Sequence, residues 1–453
     1  MQIHKRAIHI FAFVLILCSG QSFAQDSLNL RQAINMAFDR SSLVTTLQNT
    51  YQNQEFNIRS AKGSLFPTLS LTGGFNRNIS SSKGGVVVDP TTGIPYNVES
   101  STRGTNTFSL GANSNVTLYN GFANTRNVDL QEASLTGIAI NLERTKTDIM
   151  LNVTSSYIDI LKKQKIVGAN EENLKVSIDQ LNAVKVFMEV GKRTLSDVYK
   201  QDVLVSQNEL KLEQSKNEVN KSKVDLLFVI NDNINRQYNI RQNDININYS
   251  VNDLRLIVNK TSNTQELVNR AKINRKEYKF VLQDIEINEI TLDIAKKNLY
   301  FPTITGNAQY NLSGSAIDEI DNSKVLSFGI GLSYPIFQGF STKVREQIAE
   351  VNIKQRREDL NQLVQQFTSD IRKAQYDLET AFKQYEILER SLVSAQQDVL
   401  LSEESYRVGL NTLLDVQTAQ NNLNSILVSR ITALYDFITA KARLDYYTGE
   451  LNY

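Results

Sequence analysis

The sequence is poor in the side chains on which most enzymes and metal sites depend. Its 453 residues include two histidines, one cysteine and no tryptophan. His4, His9 and Cys18 all lie in the segment 1–24, which resembles an export signal. The rest of the chain therefore lacks an imidazole to serve as a general base near neutral pH, a thiolate to bind a metal ion and a disulfide. We expect neither an enzyme nor a protein that holds a cofactor or a metal ion.

Two further absences restrict the partners. The 49 basic and 48 acidic residues leave almost no net charge, so the basic surface typical of nucleic-acid-binding proteins is missing. Beyond position 24 no run approaches the roughly 18 consecutive apolar residues that a membrane helix requires. If the mature chain enters a membrane, it must do so through β-strands closed into a barrel.

The first residues have the three parts of an export signal. A basic start at residues 4–6 precedes an apolar run over 7–18 and a small-residue cleavage site, Ser22-Phe23-Ala24. This order predicts a signal peptide over residues 1–24. The alternative, lipidation at Cys18, is disfavoured because a bulky leucine stands just before the cysteine.

The most informative feature of the sequence is a long internal repeat. The segment VGKRTLSDV at 190–198 returns as VGLNTLLDV at 408–416, and YNGF at 119–122 returns at the same offset as FQGF at 337–340. Further upstream, LFPTL at 65–69 matches YFPTI at 300–304, and INMA at 34–37 matches VNRA at 268–271. A repeat this long indicates one structural unit that was duplicated and fused.

Each repeat is predicted to run helix, β-hairpin, long helix, turn and returning helix. Proline follows each leading helix, at Pro67 and Pro302, and favours an extended chain there. The first repeat, 25–230, contains helix 27–62, hairpin 67–119, long helix 122–189 and returning helix 195–230. The second, 262–453, contains helix 262–299, hairpin 302–337, long helix 340–407 and returning helix 412–447. Residues 231–261 form a connector.

The predicted strands alternate strictly between apolar and small polar residues. In the first strand Leu69, Leu71 and Phe75 alternate with Ser70 and other polar or small residues. Runs of about ten residues with this pattern are typical of tilted transmembrane strands, although a hairpin on a soluble core would alternate too. The almost uncharged polar face favours a water-filled lumen. Four strands cannot close a barrel, for which about eight is the minimum, so an oligomer is required and three chains would supply twelve.

The two long helices predict an elongated helical hairpin. Each covers about 67 residues, or roughly 100 Å at 1.5 Å per residue. Each returning helix is about half as long, so that a leading helix stacked end to end on it completes the length. Apolar residues recur at three- and four-residue steps, as expected for packed coiled helices with one wet face.

This duplicated plan, the V-G-x-x-T-x-x-D-V turns and the aromatic-x-Gly-Phe strand ends resemble the TolC family of outer-membrane efflux proteins. The resemblance implies a mainly α protein with β: a homotrimer in which a twelve-stranded transmembrane β-barrel continues into an α-helical tunnel. It places the protein in the outer membrane of a Gram-negative bacterium, in contact with outer-membrane lipid and with a large periplasmic extension. It also implies an exit duct that works with a periplasmic adaptor and an inner-membrane transporter of the RND, ABC or MFS type.

The turns between long and returning helices are predicted to form exposed tips. Gly191 and Gly409 allow the chain to reverse. The resemblance implies that an adaptor docks at the tips, on Val190, Gly191, Thr194, Val408, Gly409, Leu410 and Thr412. The alternative is that these residues only make the turn.

The resemblance also implies a gate near the tips. Asp415 would form a ring of carboxylates at the constriction, and Asp197 would link to Tyr406 across helices. This chain has Thr418 where the family often has a second Asp and Asn411 where it can have Arg, so we expect a single ring and a weaker or rebuilt link. The alternative is that Asp197 and Asp415 only place favourable charges at helix N-termini.

Two other functions compete with the exit duct. The first is a structural coiled-coil protein of the periplasm or cell surface without channel activity. The second is a stand-alone diffusion porin, which the high helix content disfavours. Recovery in the soluble periplasm without detergent would exclude the duct.

Overall fold

The computed structural model describes residues 27–242 and 245–452, so the predicted signal peptide lies outside the described residues. The chain divides into two compact units. Within the described residues, the helical unit comprises 27–47, 142–242, 245–278 and 363–452. The sheet unit comprises Gln48–Asn141 and Lys279–Gln362.

Helices make up most of the described chain, and none of those described is long and apolar enough to cross a bilayer. In chain order they are α1 Leu30–Arg40, α2 Ser42–Gly63, α3 Ala123–Glu189, α4 Leu195–Val229, α5 Val251–Lys260, α6 Thr264–Asn274, α7 Lys276–Tyr300, α8 Ser341–Arg407 and α9 Leu413–Thr448. The long helices α3 and α8 each have 67 residues, which matches the length expected from the sequence.

The strands form three sheets. They are β1 Ser27–Leu28, β2 Thr68–Ser82, β3 Gly85–Val88, β4 Pro95–Val98, β5 Ser101–Tyr119, β6 Asn239–Ile240, β7 Thr303–Gly314 and β8 Ser323–Ser333. The main sheet has the order β2-β5-β7-β8 and is antiparallel throughout. A short antiparallel ribbon, β3–β4, lies between β2 and β5 in the chain, within the predicted hairpin 67–119. In the helical unit, β1 pairs with β6 in parallel.

The predicted single leading helices are each two helices. The first breaks at Ser41 and the second at Arg275, where the backbone is extended, with ψ of 117° and 131°. The two breaks are separated by the same offset as the matching segments 34–37 and 268–271, so the duplication carried the break with it. At the first break the Ser41 hydroxyl accepts a hydrogen bond from the Val44 amide at 3.3 Å and caps the following helix.

Left-handed backbone positions repeat as well. Gly121 and Phe122 have φ of 66° and 64°, and their equivalents Gly339 and Phe340 have φ of 58° and 65°. At the end of the returning helices, Asn231 with φ of 53° corresponds to Gly449 with φ of 73°, at the same offset as the strand-to-helix corners. Phenylalanine rarely adopts this conformation, so its recurrence at both corners shows that the corner geometry was duplicated intact.

The register of the main sheet places nearly all apolar residues of the four strands on one face, with Val325 of β8 on the other. Leu71, Ala112, Tyr310 and Leu326 lie in one row across the strands. Because directly paired residues share a face and neighbours along a strand alternate, the opposite face carries rows such as Ser70, Asn113, Gln309 and Ser327. The apolar side chains of the edge strands are exposed, with Leu69 at 81% and Phe328 at 76%.

The strand β8 is shorter than the alternation predicted. Alternating residues continue to Ile336, but the strand ends at Ser333. Pro335 follows, and a proline has no amide hydrogen for the ladder.

The core of the helical unit is formed by helices from both repeats and by the connector. Tyr157, Leu226 and Tyr435 belong to one buried cluster, and Phe367 and Phe437 to a second. The connector contributes Tyr238 and Ile240 to the first cluster and Leu254 to the second. The segment 231–261 is therefore part of the core rather than a loose linker.

Candidate functional site: the helical tips

Both tip turns have the same backbone hydrogen bonds. The amide of Gly191 donates to the Met188 carbonyl at 3.0 Å, and that of Lys192 donates to the Phe187 carbonyl at 2.9 Å. Gly409 and Leu410 repeat the pattern, donating to Tyr406 and Ser405 at 3.1 and 2.9 Å. This is the Schellman arrangement, in which the glycine adopts positive φ, here 75° and 84°. The two predicted reversals at Gly191 and Gly409 are made in this way.

The returning helices begin with matching capping boxes. The Asp197 amide donates to the Thr194 hydroxyl at 3.2 Å, and the Thr194 amide donates to the Asp197 carboxylate at 3.1 Å. Thr412 and Asp415 repeat this arrangement at 3.3 and 2.9 Å. Both threonines and both aspartates of the V-G-x-x-T-x-x-D-V motif therefore have a local structural role.

The candidate adaptor-contact side chains are exposed at both tips. Val190 is 62% exposed, Val408 69% and Leu410 81%. Thr194 and Thr412 are also accessible, although their hydroxyls are engaged in the capping boxes. Each tip thus presents a small apolar surface next to a rigid turn.

The candidate gate residues lie in different surroundings. Asp415 is exposed, and its hydrogen bonds with the Thr412 hydroxyl and amide lower the pKa of its carboxyl below the usual 3.8. It is therefore ionised at neutral pH. Tyr406 is 7% exposed, and burial raises the pKa of its phenol. Asp197 is close enough to Tyr406 to contribute to that rise in pKa. The predicted link between the two is nevertheless not a hydrogen bond, because Asp197 caps α4 instead. The Tyr406 hydroxyl is buried without a hydrogen-bond partner among the described residues.

A residue that the sequence reasoning missed, Arg193, joins the two tips instead. Its guanidinium carbon lies 3.9 Å from the centre of the Tyr406 ring. The same guanidinium donates a hydrogen bond to the Tyr406 carbonyl at the C-terminal end of α8. Both contacts favour a cation, because the ring face and the helix C-terminus carry partial negative charge.

The contact between the arginine of the first tip and the tyrosine of the second has no repeat-related counterpart. The repeat equivalents of Arg193 and Tyr406 are Asn411 and Met188, which offer neither a cation nor a ring. Asn411 stands where the family can have an arginine. At the equivalent position of the first tip, this chain does have one, Arg193.

A buried polar layer lies behind the tips. Gln201 is fully buried; its amide donates to the Ser177 carbonyl at 3.1 Å and its oxygen accepts from Gln417 at 2.9 Å. Glu403 accepts from Gln180 and Gln420, both at 3.0 Å. The layer thus connects α3, α4, α8 and α9. Buried polar groups at helix interfaces fix the axial register of the helices. This layer therefore fixes how the four helices are aligned along their axes.

A cleft of about 400 Å³ opens beside Tyr406. It is lined largely by apolar side chains of α3 and α9, including Val176, Val184, Phe187 and Val416. Leu181, Val198, Tyr406 and Leu413 form the small buried cluster beneath it with Val184 and Val416.

Long paired helices, duplicated tips and a four-stranded sheet with one apolar face define a class of outer-membrane channel proteins. The chain superposes on the outer membrane protein VceC from Vibrio cholerae with a TM-score of 0.71 and 15% identity, covering 93% of this chain and 96% of that one. A similar match, with a TM-score of 0.74, 14% identity and coverage of 96% and 95%, is found to CusC.

Sequence comparison gives the family. Residues 33–232 and 267–450 match the family described as outer membrane efflux protein, and the chain belongs to this family. It is 22% identical to the outer membrane efflux protein BepC of Brucella suis over 437 residues, covering 96% of this chain and 87% of that protein. It is 20% identical to the outer membrane protein TolC of Vibrio cholerae over 419 residues, covering 87% and 84%.

These findings confirm the family, the mixed fold dominated by helices, the outer-membrane localisation and the role as an exit duct that the sequence predicted. The family is one of efflux proteins rather than of enzymes. The contributions of individual tip residues remain predictions.

Proposed function

We propose that three copies of this chain form the exit duct, each supplying the β2-β5-β7-β8 sheet to a twelve-stranded barrel. The observation that supports this most strongly is the register, which gathers nearly all apolar side chains of the four strands on one face and most uncharged polar ones on the other. Lipid would contact the first face and water the second.

The sheet also has two long edges that need partners. The edge strands β2 and β8 have 15 and 11 residues, and their outer backbone groups are unpaired within the described chain. An unpaired edge is not tolerated in a bilayer. Pairing β2 of one protomer with β8 of the next continues the antiparallel order and closes the ring.

Cysteine cross-linking tests this arrangement. The only natural cysteine lies in the predicted signal peptide. Any disulfide in the mature chain must therefore join two introduced cysteines. We expect Ser327→Cys on β8, combined in turn with Ser70→Cys, Thr72→Cys or Gly74→Cys on β2, to give covalent dimers and trimers on oxidation. The control combines Ser327→Cys with Ser109→Cys, which lies on the same face but on the interior strand β5. Monomer alone from every β2–β8 pair would contradict the barrel.

We further propose that the tips dock a periplasmic adaptor, which connects the duct to an inner-membrane transporter. The exposed side chains Val190, Val408 and Leu410 on two equivalent turns support this.

A photoreactive amino acid at Leu410 tests docking in intact cells. We expect a covalent product that mass spectrometry identifies as an adaptor protein. The matched control carries the same amino acid at Leu256, which is 58% exposed on α5. Equal adaptor labelling at both positions would contradict a specific contact at the tips.

We also retain the gate as a proposal. In the trimer three copies of Asp415 would form the carboxylate ring, and the contact of Arg193 with Tyr406, in place of the expected link from Asp197, would hold the tips together. The exposure of Asp415 and the Arg193–Tyr406 contact support this.

A further inference from the structure

The break between α6 and α7 contains a buried cation that is only partly paired. Arg275 is 7% exposed, and its Nη1 atom has no hydrogen-bond partner among the described residues. Its Nη2 atom pairs with Glu277, and the guanidinium carbon lies 4.0 Å from the centre of the Phe367 ring. An unpaired buried donor is destabilising unless a further acceptor reaches it.

Arg275 lines a cavity of about 90 Å³ in the helical unit. Water occupies roughly 30 Å³ per molecule, so this volume suits a few waters or one small oxyanion. Three cations line the cavity, Arg144, Arg275 and Lys276, against two carboxylates, Asp148 and Glu277. Both carboxylates are engaged: Asp148 accepts from the Tyr446 hydroxyl at 2.6 Å, and Glu277 pairs with Arg275.

The backbone adds a further attraction for an anion. The 25-residue helix α7 begins at Lys276, beside the cavity. The first amides of a helix lack intrahelical acceptors, and its N-terminus carries partial positive charge.

The equivalent joint of the first repeat pairs its cation differently. There Arg40 pairs with Asp232 at 2.6 Å, and the Tyr238 hydroxyl donates to the same carboxylate at 2.7 Å. The Asp232 side chain is 8% exposed, so this joint contains its own anion. The repeat equivalent of Asp232 is Glu450, which instead accepts from Arg270 at 3.4 Å.

We propose that the cavity at the second joint binds a small oxyanion, sulfate or phosphate, held by the Arg275 guanidinium, the Lys276 ammonium and the N-terminus of α7. The bound anion adds a second acceptor for the Arg275 guanidinium, which Glu277 pairs only in part. It connects the start of α7 to α3 and to the segment 449–452 after α9, all of which line the cavity. The site does not depend on oligomerisation or on channel activity.

Thermal unfolding of the purified full-length protein in detergent tests binding. Sodium sulfate is varied in the low millimolar range at constant ionic strength, with sodium chloride as the balancing salt. We expect a saturable rise of the unfolding midpoint, since a ligand that binds only the folded state stabilises it. Arg275→Met should abolish the rise. Arg255→Met, which removes an exposed arginine on α5 that pairs with Glu386, should leave it unchanged.

Two further measurements keep the result clear if Arg275→Met fails to fold. Lys276→Gln retains the buried guanidinium, and half-saturation should require a roughly tenfold higher sulfate concentration because one charge-assisted hydrogen bond is lost. Crystals soaked in selenate should show an anomalous peak within hydrogen-bonding distance of Arg275. A wild-type midpoint that does not respond to sulfate, or a cavity that holds water only after the selenate soak, would overturn the proposal.

Discussion

At the scale of single residues, the contact between Arg193 and Tyr406 is the most direct connection between the two tips. Replacing Arg193 with Ala removes a cation–π contact and a hydrogen bond to the end of α8, together about 1–2 kcal/mol. We therefore predict a tip that opens more readily, seen as a higher single-channel conductance or more frequent open events in planar bilayers.

The adjacent Lys192 provides the matched control. It carries the same charge and is exposed at the same turn, so Lys192→Ala changes the net charge of the tip equally. If both variants conduct alike, charge at the tip rather than the contact with Tyr406 accounts for the change.

Asp415 has a structural role that the test of its gating role must preserve. Asp415→Ala would remove both its charge and its cap, whereas Asp415→Asn keeps an oxygen that can accept from the Thr412 amide. We predict that Asp415→Asn weakens block of the channel by divalent cations, because the proposed ring loses three charges.

Asp197→Asn is the control for Asp415→Asn, since Asp197 has the same place in the capping box of the first tip. It should leave the block intact. Unchanged block in Asp415→Asn would show that Asp415 acts only as a helix cap, the alternative that its hydrogen bonds to Thr412 also fit.

At the scale of elements, the sequence predicted those features that local chemistry encodes. The tips follow from glycines that permit positive φ at Gly191 and Gly409, and the strands follow from strict alternation. The breaks at Ser41 and Arg275 were missed because neither contains proline or glycine, and helical spacing continues on both sides. The extended backbone there is stabilised by packing in the core, which no local pattern reports.

Contacts between distant elements were equally beyond the sequence. Arg193 contacts a residue 213 positions away, and Gln201 is fully buried although glutamine is usually exposed. Comparing the two repeats is the one signal that points to Arg193, since an arginine stands in one copy and Asn411 in the other. The pairing of that arginine with Tyr406 depends on how the two tips pack together, which neither segment encodes by itself.

At the scale of the whole molecule, the proposed barrel makes a sharp distinction between two adjacent residues of β8. Phe328 lies on the apolar face and Ser327 on the polar face, and both are exposed in the single chain. In a barrel the first faces lipid and the second faces the lumen. A lysine facing lipid near the bilayer midplane costs about 2–4 kcal/mol, and three protomers multiply that cost.

We therefore predict opposite behaviour for the two lysine variants. Phe328→Lys should reduce or abolish the heat-labile trimer recovered from outer membranes. Ser327→Lys should assemble normally and shift the ion selectivity of the reconstituted channel towards anions, because three ammonium groups then face the lumen. The measurements are trimer yield on mild-detergent gels and reversal potential in a salt gradient. A barrel with the opposite face towards lipid would exchange the two outcomes, and a sheet packed against helices in a soluble protein would show neither a trimer nor a conductance in any variant.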